Sequence, residues 1–120
     1  MPALPHGDPA PSDGGLPAGL DWARPLRAYV HVPFCAARCG YCDFNTYTAA
    51  ELGAAPGASQ DAYLAAVDTE LELARAVLGP GAPAVQSVFF GGGTPTMLPA
   101  ASLAGVLDAI RARFALADGA

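Results

Sequence analysis

The sequence predicts an α/β fold, and its segment order predicts it. Two short β-forming runs, LRAYVHV and VQSVFF, are each followed by an unusual loop and then by a segment with helical apolar spacing. The order strand, loop, helix, strand, loop, helix makes two βα units, which imply a parallel sheet with helical crossovers. Glycine and proline punctuate the ends of these segments.

Residues 1–25, MPALPHGDPAPSDGGLPAGLDWARP, are crowded with Pro, Gly and Ala and show neither helical nor strand periodicity. They read as a disordered leader. They lack the Arg and Ser richness of a transit peptide and the apolar stretch of a signal peptide. Leu26 to Val32 is the first expected strand, rich in β-formers and ended by Pro33. A cysteine loop, HVPFCAARCGYCDFNTY, follows it. Thr48 to Ser59, rich in Ala, Gly and Pro, reads as a connector.

A helix is expected to start at Ser59, a side chain suited to N-capping. Its face is Leu64, Val67, Leu71, Ala74 and Leu78, and Gly79-Pro80-Gly81 stops it. Val85 to Phe90 is the second strand, and Gly91-Gly92-Gly93 follows directly. A second helix is expected over Ala101 to Ala115, with the stripe Leu103, Val106, Leu107, Ile110 and Phe114. The chain is then expected to end on that helix without a third strand. Two βα units cannot close a barrel, and parallel sheets need cover on both faces. Residues 26–120 are therefore expected to be the incomplete N-terminal part of a larger, TIM-like α/β domain. Both unusual loops follow the C-terminal end of a strand, the face that carries the active site in such barrels.

Composition narrows the function classes. The net charge is −5 with no basic run, which argues against nucleic acid, because Lys and Arg supply most of that affinity. No stretch approaches the ~18 apolar residues of a membrane span. The apolar fraction of 52% is much of it alanine. The expectation is a cytoplasmic protein whose partners are small molecules.

The chemistry concentrates in Cys35, Cys39 and Cys42, spaced C-x3-C-x2-C. An odd, tight group of cysteines fits a reducing compartment and a metal better than a disulfide framework. Three thiolates on one loop can hold three corners of a [4Fe–4S] cube and leave the fourth iron open to a small molecule. Ala36, Ala37 and Gly40 let the backbone curl closely, and Arg38 puts a positive charge beside the thiolates, which favours their ionised form. Zinc is the rival. It normally takes four ligands from separated pairs, so His31 or Asp43 would have to supply the fourth. In the second loop, GGGTPT, consecutive glycines let backbone polar groups approach a ligand. A P-loop is excluded, because the Lys-Ser/Thr ending is missing.

Cys35-x3-Cys39-x-Tyr41-Cys42 resembles the signature of the radical S-adenosylmethionine (SAM) superfamily. That resemblance implies that the methionyl amino and carboxylate groups of SAM chelate the open iron, and that an electron from the cluster cleaves the sulfonium. It also implies the N-terminal βα units of a partial TIM-like radical SAM barrel. The longer strings YVHVPFCAARCGYCDF and VFFGGGTPTML resemble the oxygen-independent coproporphyrinogen III oxidase family, over about Tyr29 to Leu98. That family holds a true dehydrogenase, which decarboxylates two propionates of coproporphyrinogen III, and a HemW-like heme-chaperone branch. The dehydrogenase carries a fourth cysteine two residues after the third. Phe44 stands there in this chain, and CGYCDFNTYT also looks more like the chaperone branch.

Carried over by position, the resemblance makes Cys35, Cys39 and Cys42 the cluster ligands. Tyr29, Tyr41, Gly92, Gly93 and Thr94 become contacts for SAM. It also implies an electron donor, heme bound by the complete chain and a heme-receiving protein. From the residues alone, Tyr29 could be a strand core residue and Tyr41 plain packing, while His31 more readily braces the loop than binds metal. Three readings stand: a heme chaperone of porphyrin metabolism, a coproporphyrinogen dehydrogenase, and an inert truncated piece.

Overall fold

The computed structural model describes residues 6–42, 45–53 and 59–120. Strand β1, Leu26–Val32, keeps the expected bounds, and β4, Val85–Gly92, runs two residues past the expected end into the glycine run. The two strands pair in parallel, with Tyr29 opposite Phe89, His31 opposite Gly91 and Val32 opposite Gly92. Between them come two-residue strands β2, Phe34–Cys35, and β3, Tyr47–Thr48, which also pair in parallel. Residues 6–25 form turns without a helix or strand.

The long helix α2, Gln60–Leu78, begins where its cap predicts. Ser59 is extended, and its hydroxyl accepts the Ala62 N–H at 3.0 Å. Asp61 lies in its first turn and Arg75 in its last, each favourable to the helix dipole. Gly79 ends it at φ 73°, a left-handed conformation that side chains resist. Helix α3 spans Ala100–Arg113. It stops short of the expected Ala115, because Phe114 turns extended, at φ −129° and ψ 142°, and buries its ring.

The expectation that the chain ends on a helix needs correction. After α3, Leu116 forms a parallel bridge with Val85. Val85 donates to the Ala115 carbonyl at 2.8 Å, and Ala117 donates to the Val85 carbonyl at 2.9 Å. The chain thus returns to the sheet beside β4 after its second helix, as a third βα repeat would. Helical periodicity through Ala115 hid this return. The connector reading of Thr48 to Ser59 is also corrected at its start. Thr48 and Glu51 form a reciprocal capping box that closes a short helix α1, Ala49–Leu52.

Both long helices cover one face of the β1–β4 pair. Val30 and Val85 from the strands meet Val106, Ile110 and Phe114 from α3, with Leu64, Val67 and Leu71 of α2 packed against them. Ile110 is 1% exposed, and burying such a side chain is worth ~1.5–3 kcal/mol. Of the remaining expected stripe, Leu103 joins a second cluster of Val32, Phe34 and Leu98, while Leu107 is half-buried. Arg113 ties the helices together, pairing with Asp68 at 2.8 Å and Glu72 at 2.7 Å. Because strand side chains alternate, Arg27, Tyr29 and His31 fall on the other face with Phe89. That face carries Tyr29 and Phe89 exposed.

Candidate metal and cofactor site

The two unusual loops leave the same end of the parallel pair, and the register sets them side by side. Gly93 donates to the Val32 carbonyl at 2.8 Å, and Thr94 donates to the Phe34 carbonyl at 2.7 Å. The glycine run is thereby sewn onto the segment that carries the first cysteine. A Cβ built on Gly93 would stand 2.5 Å from the Phe34 oxygen and 2.8 Å from Cys35 Sγ. Only a glycine lets the backbone come this close.

Gly92 has φ +105°, and a Cβ there would meet the His31 ring at 2.7 Å. A Cβ on Gly91 would meet the rings of Phe89 and Tyr29 at 2.6 and 2.8 Å. The glycines therefore serve two ends: they make room for aromatic side chains from β1 and for the cysteine thiol beyond them. Thr94 leads into a single 3-10 turn, Pro95–Met97, accepting the Met97 N–H at 2.9 Å.

Tyr29 is not a core residue. It is 58% exposed, stacks on Phe89 across the strands at 5.9 Å, and reaches His31 Nδ1 with its hydroxyl at 3.0 Å. His31 Nε2 lies 2.7 Å from the Asn45 carbonyl, so Nε2 carries the proton and Nδ1 accepts from Tyr29. Both ring nitrogens are thus engaged in bracing, which leaves neither for a metal. Tyr63 of α2 donates to the His31 carbonyl at 2.7 Å, and burial pushes its phenol upward. Tyr29, His31 and Asn45 join β1 to the far side of the cysteine loop.

None of the three cysteines is in a disulfide. Cys35 is buried beneath the glycine run, Cys39 is exposed and Cys42 is half-buried. The Cys42 N–H closes a turn onto the Cys39 carbonyl at 3.0 Å. Tyr41 is 88% exposed. A hydrogen bond with Cys39, assisted by the charge of that thiolate, raises its pKa. Asp43 and Phe44 lie outside the described residues.

Arg38 bridges the loop to α1. Its Nη2 lies 3.0 Å and its Nε 3.1 Å from Glu51 Oε1, and it also donates to the Thr46 carbonyl. Glu51 raises the Arg38 pKa, first through that hydrogen bond and then through its charge, and the nearby Cys42 and Cys35 thiolates add to it. The Glu51 carboxyl is held below its ordinary range, first by the Thr48 N–H and then by Arg38. This latch was not legible in the sequence, although the T-x-x-E string at Thr48 signalled the capping box behind it.

The donor set fits an iron–sulfur cube in kind. It offers three thiols on one loop with a cation among them and a backbone cradle at Cys35. Among the described residues, no three His, Cys, Asp or Glu side chains converge to hold one metal ion.

A family model described as the radical SAM superfamily matches residues 29–115, which include Tyr29, all three cysteines and the glycine run. The chain belongs to the radical SAM superfamily. Its likeness to solved radical SAM structures extends to the fold. The chain is similar to one reported as "Coproporphyrinogen III oxidase (HemN) from Escherichia coli is a Radical SAM enzyme", with a TM-score of 0.65 and 31% identity, over 81% of this chain and 21% of that one. Among curated radical SAM relatives, "Heme chaperone HemW" of Mycobacterium tuberculosis is 54% identical over 97 residues, 81% of this chain and 24% of the relative. "Oxygen-independent coproporphyrinogen III oxidase" of Paracoccus denitrificans is 34% identical over 99% of this chain and 26% of its own length. This radical SAM chain thus spans about a quarter of the length of the curated relatives it matches. The parallel α/β architecture expected from the sequence is that of this superfamily.

Proposed function

We propose that this chain carries the cluster loop and part of the SAM site of a HemW-like heme chaperone. Cys35, Cys39 and Cys42 hold a [4Fe–4S] cluster, and Gly92, Gly93 and Thr94 present backbone groups to SAM beside it. Tyr29 and Tyr41 flank the cofactor. The observation that carries the site is the approach of Gly93 to Cys35 Sγ, which puts the glycine run against the first ligand. When bound, the cluster supplies a low-potential electron and an iron that SAM can chelate. The chain's own contribution is to seat Cys35, to orient Tyr29 through His31, and to set Arg38 among the thiolates.

The chaperone reading rests on the 54% identity to HemW and on Phe44 where the dehydrogenase has its fourth cysteine. On this reading the native protein binds heme, takes an electron from a donor and passes heme to a recipient protein in the cytoplasm. Among the described residues no helix is long and apolar enough to cross a membrane. The Paracoccus relative favours a second reading, coproporphyrinogen III oxidation.

One set of assays separates them. The native gene product is reconstituted anaerobically with iron and sulfide, and its reduced cluster is followed by electron paramagnetic resonance with and without SAM. Heme binding is followed by absorbance, and coproporphyrinogen III conversion by product analysis. A SAM-sensitive cluster with heme binding and no conversion supports the chaperone. SAM-dependent conversion overturns it in favour of the dehydrogenase.

A further inference from the structure

Thr46 is a polar residue buried almost completely, at 1% exposed, in a loop that is otherwise largely open. Its hydroxyl lies 3.5 Å from Cys42 Sγ. Its carbonyl takes the Arg38 guanidinium, whose other bonds run to Glu51. Its neighbour Tyr47 donates to the Pro33 carbonyl at 2.7 Å, in the ladder that pairs Phe34 with Tyr47 and Cys35 with Thr48. Glu51 is fixed in turn by the Thr48 N–H at 2.7 Å. Thr46 is thus held on both sides, and its one chemically active group is aimed at a cysteine sulfur.

We propose that Thr46 is a positioning residue that donates a hydrogen bond to the Cys42 sulfur and raises the reduction potential of the cluster, with the Arg38–Glu51 pair holding it in place. The inference rests on the cluster assignment above. A ligating sulfur is a thiolate and has no proton to give, so the hydroxyl is the donor. Hydrogen bonds to cluster sulfurs are among the terms that set the potential. Reduction adds negative charge to the cluster, a donor stabilises that charge, and the potential rises.

The test is a potentiometric titration of the reconstituted native gene product, read by electron paramagnetic resonance, beside Thr46→Val, Thr46→Ser and Glu51→Ala. Thr46→Val keeps the side-chain shape and loses the hydroxyl. Its midpoint is expected to fall with iron and sulfide content retained, while Thr46→Ser stays at the wild-type value. Glu51→Ala gives a second reading of opposite sign to simple electrostatics. Removing a carboxylate's charge by itself raises the potential, whereas loosening Arg38 and Thr46 lowers it, and a fall is expected. An unmoved midpoint in Thr46→Val overturns the hydrogen bond. A rise in Glu51→Ala overturns the latch, and Glu51→Ala alone decides if Thr46→Val does not retain iron. A wild-type protein that assembles no cluster overturns the cluster assignment itself and this inference with it. A wild-type cluster with unmoved midpoints in the variants overturns this inference only.

Discussion

Gly93 lies so close to Cys35 that a single added carbon would stand 2.8 Å from its sulfur. The same carbon would stand 2.5 Å from the Phe34 oxygen, which is backbone and cannot swing aside. Gly93→Ala is therefore expected to push β2 away from β4 and to cost ~1–3 kcal/mol, the range of overpacking in a tight site. Denaturant titration of the native gene product checks the stability, and iron content checks whether Cys35 still binds. Unchanged values for both would mean that the two loops do not touch in solution.

Cys39 is exposed, so its removal leaves no cavity. Cys39→Ala is expected to leave the denaturation midpoint in place and to abolish four-iron cluster assembly, because two corners do not hold a cube. Iron and acid-labile sulfide analysis after reconstitution decides it. A stable four-iron cluster in this variant would remove Cys39 from the ligand set.

Gly92→Val combines a left-handed φ of +105° with a contact at 2.7 Å from the His31 ring. Valine tolerates that conformation poorly. The ring must shift, and with it the Tyr29 hydroxyl that His31 accepts. Weaker SAM binding is expected, with cluster assembly retained. Equilibrium binding of SAM to the reconstituted protein reads it, and unaltered affinity would make the glycine run a plain turn with no part in binding.

Ile110 sits where both helices meet the sheet, at 1% exposure. Ile110→Ala is expected to cost ~2–5 kcal/mol, lowering the denaturation midpoint without altering the loops directly.

The Glu51 carboxyl is held below its ordinary range by the Thr48 N–H and then by Arg38. A depressed folded-state pKa gives stability that is fully present above the unfolded value of about 4.3 and lost as pH falls through the folded one. The bridge between Arg38 and α1 is therefore expected to hold at neutral pH and to open in acid. Nuclear magnetic resonance titration of the Glu51 carboxyl checks this, with Arg38→Met expected to move its pKa back toward the ordinary range. Glu51 titrating at its ordinary value in the wild type would deny the latch.

The sequence by itself determined the two main strands, the two long helices and where the cysteines and glycines fall between them. Leu26–Val32 alternates and is stopped by Pro33, and Ser59 with Gly79 brackets a helix. The spacing of Cys35, Cys39 and Cys42 is a local pattern of covalent geometry. Such signals lie within a few residues of chain, where propensity and capping act. Only the tertiary structure decided the rest. Phe114 leaves the helix its periodicity predicts, because burying the ring and bridging Leu116 to Val85 outweigh one more helical turn. Gly93 meets Cys35, and Arg38 meets Glu51, across separations that no local spacing reports. Those contacts depend on the parallel register of β1 with β4 and of β2 with β3, and register is set by which faces the helices bury.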